Sequence, residues 1–181
     1  MTTYISILRG INVSGHKKIL MSDLKSLYEE AGFKNVSTYI QSGNVIFQFP
    51  EEISNEQIEV KIRQAILQKY RFDVPVIVRT VNEMQKTCRN NPFLGKIEIN
   101  IEKLHVTFLA ELPKQELLSA INKYDYTPDK FVIIWKDVIL YCPNGYGETK
   151  LSNTFFENKL HVTATTRNWK TINKLAEFFK E

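Results

Sequence analysis

The sequence predicts an α+β protein built from two related subdomains. Three observations carry that expectation. Apolar residues in the first half fall into segments ordered β-α-β-β-α-β. Their spacing changes from segment to segment between the strand period of two and the helical period of 3.6. The second half repeats the theme imperfectly, without a Gly/Pro/Ser-rich linker between the halves.

Ile5 and Ile7 lie in a short apolar run closed by Arg9-Gly10, a buried first strand. Met21, Leu24, Leu27, Tyr28 and Ala31 recur at helical spacing, and Gly32 stops that helix with Phe33 placed to fold back onto it. Val36 to Ile40 and Val45 to Phe49 read as a hairpin around Gln41-Ser42-Gly43-Asn44. Ser54 and Gln57 form a capping box for a helix carrying Ile58, Ile62, Ala65 and Ile66. Val74, Val76 and Val78 alternate along a strand, and Pro75 marks it as an edge or a strand start. This order is the split βαβ of ferredoxin-like domains.

In the second half, Glu83 to Arg89 is a short connecting helix ended by Asn90-Asn91-Pro92, and Leu104, Val106 and Phe108 alternate along a strand. Pro113 fits the first position of a helix with Leu117, Ala120, Ile121 and Tyr124. Phe131 to Trp135 and Val138 to Tyr141 flank Lys136-Asp137 as a second hairpin. Beyond the loop Pro143 to Gly147 come a helix with Leu151, Phe155 and Leu160, a short extended piece, and a last helix striped by Trp169, Ile172, Leu175, Ala176 and Phe179. We place the subdomains at 1–82 and 83–181, sharing a cleft.

Composition excludes several classes. With 43% hydrophobic and 24% charged residues the chain is neither disordered nor fibrous. No apolar run reaches membrane-spanning length, and the N-terminus lacks the basic segment of a signal peptide. Cys88 and Cys142 read as reduced thiols of a cytoplasmic protein. His16, His105 and His161 are scattered, so neither a metal site nor a cofactor motif is expected. Nothing indicates an oligomeric state.

Three segments carry candidate chemistry. In the loop Arg9 to Lys18, Gly10, Ser14 and Gly15 permit close backbone approach, while Arg9, Lys17 and Lys18 supply charge and Asn12 a polar contact. The loop is neither a P-loop nor a dinucleotide fingerprint, and turn geometry alone also accounts for its glycines. In the hairpin turn, Gln41, Ser42 and Asn44 are ligand candidates, although turn chemistry explains Gly43 and Asn44. In Thr165 to Thr171, Thr166, Arg167 and Asn168 are expected to open the last helix, with Asn168 as N-cap and Arg167 at the positive end of its dipole. Lys150, with Ser152 and Asn153, would add a cationic group. Phe47, Phe49, Phe155 and Phe156 read as core, and no RNA-stacking motif is present.

These blocks, Leu8-Arg9-Gly10-Ile11-Asn12-Val13 with Met21, Thr38 to Val45, and Thr165 to Thr171, resemble the signatures of a bacterial family, the domain of unknown function 1697 family. The resemblance spans nearly the whole chain. Ser14 departs from the pattern, which more typically shows Gly-Gly at Ser14-Gly15. The resemblance implies two α+β subdomains of ferredoxin-like character and no established activity. It places Arg9, Asn12, Gln41, Ser42, Asn44, Thr166, Arg167, Asn168 and Trp169 in signature blocks without assigning a catalytic role.

The leading expectation is a protein that binds an anionic, phosphorylated or nucleotide-like small ligand between its subdomains, with Arg9 and Arg167 as the clamp. An enzyme acting on a phosphorylated substrate is the alternative. It would draw on Asp23, Asp73, Asp125, Asp129 or Glu148, none of which sits in a motif. A nucleic-acid-binding module ranks third, because a net charge of +4 with dispersed lysines is modest.

Overall fold

Alternating apolar residues build two four-stranded antiparallel sheets, each backed by helices, in a computed structural model that describes residues 1–50 and 52–178. The chain divides into two units, Met1–Met84 and Gln85–Glu181.

The first unit runs β1 (Thr2–Leu8), α1 (Met21–Glu30), β2 (Lys34–Tyr39), β3 (Asn44–Phe49), α2 (Asn55–Tyr70) and β4 (Val76–Thr80), with strand order β2-β3-β1-β4. Tyr4, Leu8, Val45, Phe47, Val76 and Val78 share one sheet face and bury against Leu24, Leu27 and Tyr28 of α1 and Ile58, Ile62 and Ile66 of α2. Gly32, at φ +91°, ends α1 and returns Phe33 onto Tyr28, their rings 5.3 Å apart. The capping box of α2 is formed as expected: the Ser54 hydroxyl accepts from Gln57 N–H, and the Gln57 side chain accepts from Ser54 N–H. β4 is an edge strand entered through Pro75.

Next come α3 (Val81–Arg89), a 3-10 turn at Ile101–Lys103, β5 (Leu104–Leu109), α4 (Gln115–Ile121), β6 (Lys130–Ile134), β7 (Asp137–Tyr141), α5 (Asn153–Leu160), β8 (Ala164–Asn168) and α6 (Trp169–Glu177). The second sheet has order β6-β7-β5-β8, the same connectivity as the first. Its core joins Leu109, Val138, Leu140, Cys142 and Ala164 to Ile121 of α4 and Phe156 and Leu160 of α5.

The repeat extends to individual bonds. Leu8 N–H donates to Gly43 O and Arg9 N–H to Pro75 O, at 2.8 and 2.9 Å; Leu109 and Ala110 repeat this to Lys136 O and Thr163 O at the same distances. That register makes Arg79 the counterpart of Arg167, and Asn44 of Asp137.

The units differ in their connections. The β1–α1 loop occupies residues 9–20, against 110–114 in the repeat. The second unit instead lengthens its α4–β6 and β7–α5 loops, 122–129 and 142–152 against 31–33 and 50–54.

Four expectations need correction. Thr165 to Arg167 do not open a helix: they lie in β8, paired with β5, and α6 begins at Trp169. Lys114 is extended, so α4 begins at Gln115 and not at Pro113; it ends before Tyr124, which is exposed. The tip of the second hairpin is Trp135-Lys136, because Asp137 is the first paired residue of β7 and is buried. Ile40 belongs to the first turn, at φ +52°, not to a strand. Phe179 lies outside the described residues.

Candidate functional site

The loop between β1 and α1 is held in a conformation that ordinary residues seldom adopt. Asn12, Ser14 and Lys17 have φ of +56°, +49° and +46°, and Gly10 and Gly15 are also left-handed. His16 N–H donates to Val13 O at 2.9 Å, closing a tight turn. The Asn12 side chain ties the loop to its neighbours. Its amide donates to Ile19 O and Gln41 O, both at 2.9 Å, and its carbonyl accepts from Ile19 N–H at 2.9 Å. Asn12 therefore fastens the loop to the hairpin turn. Lys17 Nζ donates to Asp73 O at 2.6 Å, a second tether.

The tethers leave a pocket of about 360 Å³ lined by Asn12, Gly15, Lys18, Ile19, Leu20, Asp23, Gln41 and Tyr70. Three of the expected ligand residues, Asn12, Lys18 and Gln41, thus meet at one place. Leu20 is the N-cap of α1 and offers no side-chain acceptor to the first turn. Positive charge from Lys18 and the helix dipole meets negative charge from Asp23 in that turn. Tyr70, at the end of α2, was not legible as a site residue. Its hydroxyl is buried with no hydrogen-bond partner among the described residues. Burial, with Asp23 and Glu30 adding to it, raises the phenol above its ordinary pKa, so it stays a donor at neutral pH.

A larger groove of about 660 Å³ runs between α1 and α2, but its lining is helix-surface Glu30, Lys61, Gln64, Gln68 and Lys69, with none of the candidate residues. The remaining candidates are placed elsewhere. Arg9 is half-buried, its N–H bonded to Pro75 O. Asn44 is fully buried and donates to Tyr39 O and Ser42 Oγ at 3.0 and 3.2 Å, which makes both residues part of the hairpin turn's own bonding.

In the second unit, alternation along β8 turns Thr166 to one sheet face and Arg167 to the other. The Thr166 hydroxyl bonds Thr107 Oγ1 at 2.6 Å, donates to Asn153 Oδ1 at 2.7 Å and accepts from Tyr146 Oη at 3.0 Å. The Tyr146 ring stacks on His105, whose pKa is lowered chiefly by burial. Arg167 is buried, its Nη1 donating to Thr166 O at 2.9 Å and Thr165 Oγ1 at 3.2 Å, and desolvation lowers its pKa to about 10. Arg79 repeats the contact, with Nη1 donating to Val78 O at 3.1 Å. Asn168 is the N-cap of α6, accepting from Thr171 N–H at 2.8 Å. Lys150 is exposed beside Asp125, Asp129 and Glu148 in a pocket of about 190 Å³, an acidic setting and not a cationic one.

Among the described residues no group of three or more His, Cys, Asp or Glu is arranged to hold a metal ion. No helix there is long and apolar enough to cross a membrane.

Comparison with solved structures finds the conserved bacterial protein SP0830 from Streptococcus pneumoniae, 22% identical, with a TM-score of 0.78 over 100% of this chain and 99% of that one. At that identity the likeness speaks for the fold. Curated proteins return no match. The family described as "Protein of unknown function (DUF1697)" matches residues 1–139, which include the loop after β1 and the hairpin turn but stop short of Thr165 to Thr171. The chain belongs to that family.

Proposed function

We propose that the protein binds a small anionic ligand, phosphorylated or nucleotide-like, in the pocket formed by the loop between β1 and α1. The observation that carries this reading is the contrast between the repeats. The same β-to-α connection is made by residues 110–114 in one unit and by residues 9–20 in the other. Topology needs only the short form, and long ordered loops on a rigid scaffold are where binding residues concentrate.

The loop's conformation supports an anion. Turns through left-handed residues direct backbone N–H groups into a concavity, and Lys18 and the uncapped start of α1 add positive potential. Of the eight non-glycine residues with positive φ among the described residues, Asn12, Ser14, Lys17 and Ile40 all belong to this loop or the turn tied to it. Arg9 contributes charge at the loop's start; Arg167, buried in its own strand, is not assigned to the site. Binding is favoured over phosphoryl chemistry because Asp23 is the one carboxylate in the lining among the described residues. The reading takes the protein to be cytoplasmic, with ferredoxin-like units as scaffold.

The test is an NMR titration of the full chain with inorganic phosphate and adenosine monophosphate. Amide shifts should concentrate at residues 12–23, 41 and 70, and Lys18→Ala should weaken binding about fivefold or more. Shifts confined to other residues, or affinities indifferent to Lys18→Ala, defeat the proposal.

A further inference from the structure

The lining of this pocket carries both signs of charge, which constrains the ligand beyond its being an anion. Lys18 and Asp23 line the same volume, together with Gln41 and Tyr70. Tyr70 closes one side of the volume, its hydroxyl buried away from solvent, so Lys18 is the cationic group of the lining that an anion can reach. Asp23 makes the complementary demand. It is exposed in the first turn of α1, its hydrogen bond a long one of 3.5 Å from the Ser22 hydroxyl, and its carboxylate oxygens can only accept.

A bare phosphate satisfies Lys18 but meets Asp23 as a like charge; a bare amine does the reverse. The volume of about 360 Å³ falls in the range of small-molecule pockets and exceeds what one tetrahedral anion fills. Ile19 and Leu20 add apolar surface to the lining.

We propose that the ligand is a phosphomonoester that also carries a nitrogen donor, either an amine or an amino-substituted heterocycle. Lys18 holds the phosphate and Asp23 the nitrogen. This rests on the anion reading above and names the second group that ligand must have.

Two matched pairs of probes test it: adenosine monophosphate against purine riboside monophosphate, whose base has no N–H donor, and phosphoethanolamine against ethyl phosphate. Dissociation constants are measured on the full chain and on Asp23→Ala and Lys18→Met, two exposed positions, with unfolding curves recorded to show that each variant is folded. In at least one pair the aminated member should bind wild type about tenfold more tightly. Asp23→Ala should bring that ratio to within about twofold, while Lys18→Met weakens both members. The pair that shows the ratio separates a nucleotide from an aminoalkyl phosphate. Equal affinities within both pairs, still dependent on Lys18, overturn the nitrogen-donor inference and leave the anion reading standing. Absence of Lys18-dependent binding by all four probes overturns both.

Discussion

Gly43 is where the hairpin turn meets the loop, and its missing side chain matters twice. Its φ is +82°, and a Cβ there would lie 2.6 Å from Ile11 Cδ1 and 2.9 Å from Leu8 Cβ. Gly43→Ala therefore adds left-handed strain to overpacking and should destabilise by about 2–4 kcal/mol. Gly10 is the control: φ is +70° with nothing within 4 Å, so Gly10→Ala should cost about 1–2 kcal/mol from strain alone. Urea denaturation of both variants decides the matter, and equal losses would show that the contact with Ile11 and Leu8 is relieved by repacking. The sequence marks Gly43 as a turn glycine but is silent on Ile11, which arrives from the loop after β1. Arginine misleads in the opposite direction. Arg167 reads as an anion clamp at a helix start, yet it and Arg79 are both buried and each guanidinium donates to the carbonyl of the preceding residue.

Among elements, those with a strong apolar period were legible and those without were not. Val76 and Val78 alternate and Ser54 to Gln57 carries its cap, so β4 and α2 stand where the sequence puts them. β8 has only Ala164 as an apolar residue, so its period of two is invisible; Asn168, a true N-cap, then drew the preceding threonines into the helix it caps. The pocket was half legible, because Lys18 and Gln41 sit in polar loops whereas Tyr70 comes from the far end of α2. That end is pinned by an ion pair. Arg63 in α2 donates through Nε and Nη2 to the Asp73 carboxylate, the latter at 2.7 Å, and Asp73 O also receives Lys17. The hydrogen bonds from Arg63 hold the Asp73 pKa below its ordinary value. An unfolded Asp73 titrates near about 3.9 and binds its proton first, so the pair's contribution is complete above that pH and fades as pH falls through the lower folded value. Both partners are about half exposed, so Arg63→Ala should lose less than about 1 kcal/mol at pH 7. Denaturation of wild type and variant at pH 7, 4 and 2.5 should show that difference shrink as pH falls; a gap that stays constant would assign Arg63 a packing role instead.

Across the whole chain, charge and aromatic placement argue against nucleic acid as the anion. The 24 Lys and Arg are interspersed with 20 Asp and Glu, as along α2, which carries Glu56 and Glu59 together with Lys61, Arg63 and Lys69. A ferredoxin-like sheet that binds RNA presents aromatics to stack on bases. Here Phe47 and Phe156 are fully buried, and Phe49 and Phe155 pack against the cores of their units, with ring pairs Phe33–Phe49 at 4.7 Å and Phe155–Phe156 at 5.2 Å. Those rings complete the cores beneath the helices and are not displayed. A protein that neutralises six to ten phosphates loses about 10³–10⁵ in affinity between 50 and 200 mM salt. For this chain we expect oligonucleotide binding, followed by anisotropy of a labelled strand, to be weak at 50 mM salt and to change less than about tenfold over that interval. The mononucleotide binding proposed for the Lys18 pocket would involve one phosphate and should change by a comparably small factor. A fall of two orders of magnitude for the oligonucleotide alone would mean that a basic track exists, and it would move the ligand from a small molecule in one pocket to a strand lying across the surface.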